Sequence, residues 1–202
     1  LDRNSTKVKQ HYALLSGPRY EAMSIGDANG PLCVHVVKLL STPDAKDFVA
    51  YGRVYSGRIK AGNRVRVLGE AYSPEDPEDQ RPCIVQGVGV CHGRHVTEVL
   101  EAGPGNCVVL EGVGQHVAKT ATIVDDSSDD PCAIFEPPRF DDQAIVKLAV
   151  EPLNPAELPK MTEGLRKISK SYPLARTKVE ESGEHVVVGT GELYLDCAMF
   201  YA

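Results

Sequence analysis

The sequence predicts a barrel of antiparallel β-strands followed by an α+β module. Three observations carry that reading. From Pro31 the chain runs in short apolar stretches broken by Gly-bearing turns; Asp125 to Pro138 is acidic, Ser-bearing and ends in two prolines; after it, strand and helix patterns alternate.

The first residues, about 1–29, are polar with Ser16-Gly17-Pro18 in their midst, and read as a connecting segment. The barrel is expected over residues 30–125. Its strand runs are Leu32 to Leu40, Phe48 to Tyr55, Arg64 to Leu68, Cys83 to Val90, His95 to Leu100, Cys107 to Leu110 and Val117 to Val124, with Arg58-Ile59-Lys60 a short piece between two turns. Turns fall at Ser56-Gly57, Ala61-Gly62-Asn63 and Gly103-Pro104-Gly105-Asn106. Arg64-Val65-Arg66-Val67-Leu68 alternates polar and apolar, as a strand with one wet face should. About six or seven strands without a helix favour closure, which would remove exposed strand edges. Ser73 to Pro82, with four acids and three prolines, reads as a solvated loop.

Residues 126–140 read as a linker, and 141–202 as the α+β module. Ala144 to Val150 is strand-like. Asn154-Pro155 with Glu157 signals a helix start, Pro159 shifts the main helix to itself, and Pro173 ends it. Met161, Leu165, Ile168 and Tyr172 form one apolar face. Ala175 to Glu181 and His185 to Gly189 flank Ser182-Gly183 as a hairpin, and Gly191-Glu192 opens a second helix with Leu193, Cys197 and Phe200 on one side. The order β-α-β-β-α matches a split βαβ, ferredoxin-like module, incomplete at its C-terminus for want of a last strand beside the first. The first strand is therefore expected to expose an edge.

Composition bounds the function. The 202 residues carry a net charge of −6, which argues against a freestanding nucleic-acid binder. The acid is unevenly placed: Glu70, Glu75, Asp76, Glu78 and Asp79, and Asp125, Asp126, Asp129 and Asp130, form two runs without a base, and the rest is close to neutral. No run of about 18 apolar residues could span a membrane. The opening Leu1-Asp2-Arg3-Asn4 has neither an initiator Met nor a signal peptide, and reads as a piece of a longer chain. Six cysteines without a CxxC pair suit a reducing compartment.

Catalytic motifs are wanting: no phosphate-binding loop, nucleophile elbow, zinc-protease or kinase signature occurs. Cys83, Cys91, His92 and His95 superficially suggest a metal, but lack a second pair at ligand spacing, so no metal or catalytic residue is expected. Glu180, Glu181, Glu184 and His185 surround a turn, where solvation is expected over acid–base work. The first helix of the α+β module carries Lys160, Arg166, Lys167 and Lys170 against Glu163, four cations minus one anion, a face that could meet RNA phosphates. Arg53 is a further candidate for an RNA or partner contact.

Phe48-Val49-Ala50-Tyr51-Gly52-Arg53-Val54-Tyr55-Ser56-Gly57-Arg58-Ile59-Lys60-Ala61-Gly62 resembles the opening of the second domain of translational GTPases. Ala149 to Met161, Glu180 to His185 and Gly189-Thr190-Gly191-Glu192-Leu193-Tyr194-Leu195 resemble the third domain of elongation factor two and its relatives. In the ribosomal translocase the Tyr194 position is normally His. Gly191-Glu192-Leu193-Tyr194-Leu195-Asp196-Cys197, Lys170-Ser171-Tyr172-Pro173, Lys119 to Ile123, and Val67 to Glu70 with the acidic loop look like the spliceosomal branch, the elongation-factor-two-like GTPases of the U-five small nuclear ribonucleoprotein. Gln86 to His95 matches neither branch.

The resemblance implies a nuclear, non-catalytic middle region of a GTPase acting in pre-mRNA splicing as a docking and conformational-relay module. Partners implied are the large scaffold protein and RNA helicase of that particle, small nuclear RNA, and the chain's own nucleotide-binding domain, with no membrane. GTP and magnesium would belong to that domain, and no cofactor to this stretch. Alternatives are a piece of the ribosomal translocase, of a ribosome-assembly GTPase, or a stand-alone enzyme with a site at Glu180 to His185.

Overall fold

The structure, a computed structural model, describes residues 2–42, 47–93, 95–126, 132–140 and 144–200. It divides into two compact units, at Pro138 and Arg139. Asp129 and Asp130 of the acidic boundary lie outside the described residues.

The first unit holds strands β1 (Cys33–Ser41), β2 (Phe48–Ser56), β3 (Ile59–Lys60), β4 (Arg64–Leu68), β5 (Gln80–Ile84), β6 (Gly87–His92), β7 (His95–Glu98), β8 (Glu101–Ala102), β9 (Cys107–Glu111) and β10 (Ala121–Asp125). Eight of them make one antiparallel sheet in the order β5-β4-β10-β1-β2-β9-β6-β7, and β3 pairs with β8 as a separate ribbon. The closed barrel expected from the strand count is not formed: β5 and β7 end the sheet and are not paired with each other among the described residues. Strand periodicity counts strands but is silent on whether two end strands meet. At β5 a donor is also lacking, because Pro82, opposite Arg66, has no N–H.

The sheet nevertheless curls around a single core. Val65 and Val67 from β4, near one end, share a cluster with Val88 of β6, near the other, and with Val34, Val36, Val54, Leu110 and Ile123 between them. Ile59 of β3 and Ala102 of β8 enter the same cluster, so the ribbon packs onto the open side. The run Cys83 to Val90 proves to be two strands, split where Val85 turns to the β3–β4 corner. There its N–H donates to Asn63 O at 3.0 Å and its carbonyl accepts from Gly62 N at 2.7 Å. Gly52 permits the closest strand approach: a Cβ there would run into the carbonyl of His35, beside the register shift between Val36 and Lys38.

The stretch read as a connecting segment carries two helices, α1 (Asp2–His11) and α2 (Pro18–Ile25). They bring Val8, Tyr12 and Met23 onto the outer face of β1 and β2, in a second cluster with Cys33, Tyr55, Ala133 and Phe135. Both helices were hidden in the sequence because each offers only one or two apolar residues to the sheet. Phe135 is the hub, with ring centroids 4.5 Å from His35, 4.8 Å from Tyr55 and 5.1 Å from Tyr12. Its N–H donates to Thr122 Oγ1 at 2.8 Å, and Tyr12 forms a bridge with it. Residues 132–138 of the expected linker thus belong to the first unit. Buried Arg19 donates to Leu32 O and pairs with Asp125 at 3.2 Å, fastening α2 to β10.

The acidic stretch is more ordered than a solvated loop. Asp76 accepts from Glu78 N at 3.3 Å and caps a 3-10 turn over Pro77–Asp79, while Asp79 accepts from Ala71 N at 3.1 Å. Glu70 accepts from Thr120 N at 2.9 Å and from its hydroxyl at 2.8 Å. Short acids capping nearby N–H groups are a local device that a count of charges does not distinguish from solvation.

The second unit follows the predicted element order: β11 (Val146–Val150), a 3-10 turn at Pro155–Glu157, α3 (Leu158–Ser171), β12 (Arg176–Val179), β13 (His185–Gly189) and α4 (Glu192–Phe200). Asn154 caps the turn by accepting from Ala156 N at 3.2 Å. The sheet order is β11-β13-β12, so β11 lies at an edge, where Leu148 is largely exposed. Leu165 and Ile168 are buried with Met161 and Tyr172 against them, on the face the spacing predicted. For α4 the face is different. Leu193, Cys197 and Phe200 are exposed, while Leu195 and Ala198 are buried and Tyr194 and Met199 pack beside them. Glu192 and Asp196, four residues apart, lie on that exposed side, and their spacing rather than the apolar residues marks the wet face.

Candidate functional site

Tyr194 sits where α4 meets the exit of α3. Its hydroxyl accepts from Leu174 N at 3.2 Å, and its ring stands edge-on to Tyr172 with centroids 5.9 Å apart. The Tyr172 hydroxyl returns the tie, donating to Cys197 O at 3.2 Å. Burial pushes the Tyr194 phenol upward, against the opposing effect of the Leu174 and Ala175 backbone. The neighbouring glycines have separate tasks. A Cβ on Gly189 would lie 2.6 Å from Leu195 Cδ2 and 3.2 Å from the Tyr194 ring, so a bare backbone lets α4 settle on β13. Gly191 begins the helix, its carbonyl accepting from Leu195 N at 3.1 Å. Glu192 places negative charge in the first turn of α4, and Leu193 faces solvent.

The basic residues of α3 do not act as one uniform face. Arg166 and Lys170 are neighbours, and burial first, then the Arg166 charge, pulls the Lys170 ammonium below its usual range. Two cations one turn apart favour an anion that relieves their repulsion. Lys167 pairs with Glu163 at 3.4 Å. Lys160 stands on the rim of an apolar hollow of about 250 Å³ floored by Val150, Met161, Leu165 and Met199. Arg53 belongs to the first unit. It lies on β2 between His35 and Cys107, and its guanidinium sits 5.4 Å from the Tyr55 ring centroid. Tyr55, two residues on, faces the same side, and its ring holds the guanidinium close to the sheet.

The Glu180 to His185 turn gives no sign of a proton-transfer group. Glu180 pairs with Lys147 at 2.6 Å and Lys178 at 2.8 Å, and these two hydrogen-bonded ammonium groups pull its carboxyl down to about 2. A general acid or base needs the opposite displacement. Gly183, at φ +88°, closes the turn. Cys83 packs toward the core on β5, whereas His92 and His95 face each other across the β6–β7 turn. Among the described residues no group of three or more His, Cys, Asp or Glu could hold a metal ion.

The stretch from just before β2 to the end of β10, residues 47–124, matches the elongation factor Tu domain 2 family. The match covers β2 to β9 and most of β10. The domain 2 sheet and the second unit together are similar to components of the splicing machinery. Over 182 residues, 90% of the chain, it is 54% identical to the 110 kDa U5 small nuclear ribonucleoprotein component CLO of Arabidopsis thaliana. It is 54% identical over 179 residues, 89% of the chain, to the 109 kDa U5 component GFL of the same plant. To the pre-mRNA-splicing factor cwf10 of Schizosaccharomyces pombe it is 49% identical over 174 residues, 86% of the chain. The chain spans 18% of the length of each of these relatives. The Tyr194 context thus pointed to the spliceosomal branch correctly. Missed by sequence reasoning were Phe135, His35 and Arg19; only the apolar Ile134-Phe135 beside the acidic run could have signalled the first of them.

Proposed function

We propose that this chain is the non-catalytic middle region of a spliceosomal U5 GTPase, acting in pre-mRNA splicing in the nucleus as a docking and relay module. The observation that carries it is the similarity to U5 components over nine-tenths of the chain. In this reading domain 2 docks on protein or RNA of the particle. The second unit is a split βαβ module; the order β11-β13-β12 with two helices supports that assignment. It passes on changes of nucleotide state, and the α4–α3 tie through Tyr194 suits a rigid lever. GTP and magnesium bind a separate domain of the longer protein. The scaffold protein and RNA helicase of the particle are its protein partners.

Arg166 and Lys170, with Lys160, Lys167 and Arg53, are proposed as contacts to small nuclear RNA or an acidic partner surface. The test is capture of the full-length protein with sequencing of bound RNA. Spliceosomal small nuclear RNA is expected, and recovery of ribosomal RNA alone would overturn the reading. Replacing Arg166 and Lys170 by Glu should lower RNA retention several-fold at physiological salt, each lost phosphate contact reducing the salt dependence by about one.

A further inference from the structure

The segment Gln86 to His95, which matched neither branch of the resemblance, carries one of two cysteines that the fold brings face to face. β6 pairs with β9 antiparallel through Gly87↔Glu111, Val88↔Leu110, Gly89↔Val109 and Val90↔Val108. The register ends at Val90↔Val108, and the next residue on each strand is a cysteine: Cys91 near the end of β6 and Cys107 at the start of β9. Alternation fixes their side. Val88, Val108 and Leu110 enter the core, with Val90 packed against it, so Cys91 and Cys107 both project from the outer face. Both thiols are free and half-buried rather than sealed. The Tyr51 phenol is pushed upward by Cys107 first, then by burial and by Cys91, so the three groups lie near one another on this face. Burial first, then the nearby Cys107, pushes the Cys91 thiol upward.

We propose that Cys91 and Cys107 form a reversible cross-strand disulfide, an oxidation site on the outer face of domain 2. Directly opposed residues of antiparallel strands have Cα atoms about 4.5 or 5.5 Å apart. Either spacing lies within the roughly 4.4–6.8 Å that disulfides span. The oxidant is a small disulfide such as oxidised glutathione. One cysteine, as thiolate, attacks a glutathione sulfur and releases one glutathione thiolate, which takes up the proton. The second cysteine, having lost its proton, attacks the protein sulfur of the mixed disulfide and expels the second glutathione. Two protein thiols are oxidised and one glutathione disulfide is reduced to two thiols.

The bond would staple β6 to β9 and so fix the β6–β7 hairpin, which ends the sheet. The other close candidates are Cys33 and Cys132, which also sense each other, but both are buried and the Cys33 thiol is pushed up to about 12 by that burial. Buried thiols of this kind are out of reach of a small disulfide, whereas Cys91 and Cys107 are half-exposed.

The test is equilibration of the chain in glutathione buffers, quenching with a maleimide, and peptide mass mapping. A peptide linked through Cys91 and Cys107 is expected to exceed any other pairing by about tenfold, since only neighbouring thiols outcompete a second glutathione. The C107S variant should leave Cys91 as a glutathione adduct, and reduction should restore both thiols. The proposal is overturned if both cysteines carry separate adducts, if either prefers another partner, or if both stay free in buffer made wholly with oxidised glutathione.

Discussion

Replacing Phe135 by Ala removes the ring on which Tyr12, His35 and Tyr55 converge. Phe135 is 3% exposed, so the whole ring is lost from a packed site. Phe→Ala in a core costs about 3–5 kcal/mol. The cluster lies on the outer face of the sheet beneath two helices rather than in the central core, so partial collapse is open to it. The lower end, about 3 kcal/mol, applies. With a urea dependence of about 2 kcal/mol per molar, the first unit should unfold about 1.5 M earlier. The assay is urea unfolding read by hydrogen-exchange mass spectrometry, so that each unit is followed through its own amides. Residues of α1, α2, β1 and β10 should lose protection together, while β11 to α4 keep theirs. A second readout comes from His35, whose imidazole is held down to about 4 by burial first and by the charge of His11 second. Water entering the space left by the ring should raise it toward about 6.5. A loss under about 1 kcal/mol, with His35 unmoved, would refute the view that this ring holds the helices to the sheet.

Acidification alone should weaken the first unit through His35, whose Nε2 is buried without a hydrogen-bond partner among the described residues. Between about pH 6.5 and 4 the unfolded chain binds a proton that the native one refuses. The contribution is therefore complete above that window and falls by up to about 3 kcal/mol as the pH drops through it. An imidazole that titrates near 6.5 by NMR in the native chain would contradict this. Tyr194→Phe strips the acceptor from Leu174 N and should cost the second unit about 1–2 kcal/mol in thermal or urea unfolding, with unchanged secondary structure by circular dichroism. Gly189→Ala forces a Cβ against Leu195 and should cost about 1–3 kcal/mol, an expectation that an unchanged melting temperature would remove. Glu180→Gln should flatten the stability of the second unit in strong acid. The native carboxyl titrates at about 2, so its contribution is present above the ordinary carboxylate range and is lost as pH falls toward that value.

Much of this architecture was legible in the chain because it is set by neighbours in sequence. Arg64 to Leu68 alternates and is a strand of those bounds; His185 to Gly189, a run of three valines ended by Gly, is also a strand of the expected bounds. The α3 face follows from spacings of three and four, and its start from Asn154 and two prolines. The same locality let the Tyr194 context point to its relatives before its hydroxyl was seen to hold Leu174.

What the sequence left open depends on partners distant along the chain. Whether the sheet closes is decided by its end strands, β5 and β7, and no local pattern records that they fail to pair. The buried side of α4 is the one that β13 and α3 cover, where Leu195 and Ala198 pack. The place of α1 and α2 is decided by Phe135, more than a hundred residues away, and by the Arg19–Asp125 pair. Nothing in the sequence pairs Cys91 with Cys107. Only register, which hydrogen bonding between strands fixes and composition does not, sets them side by side.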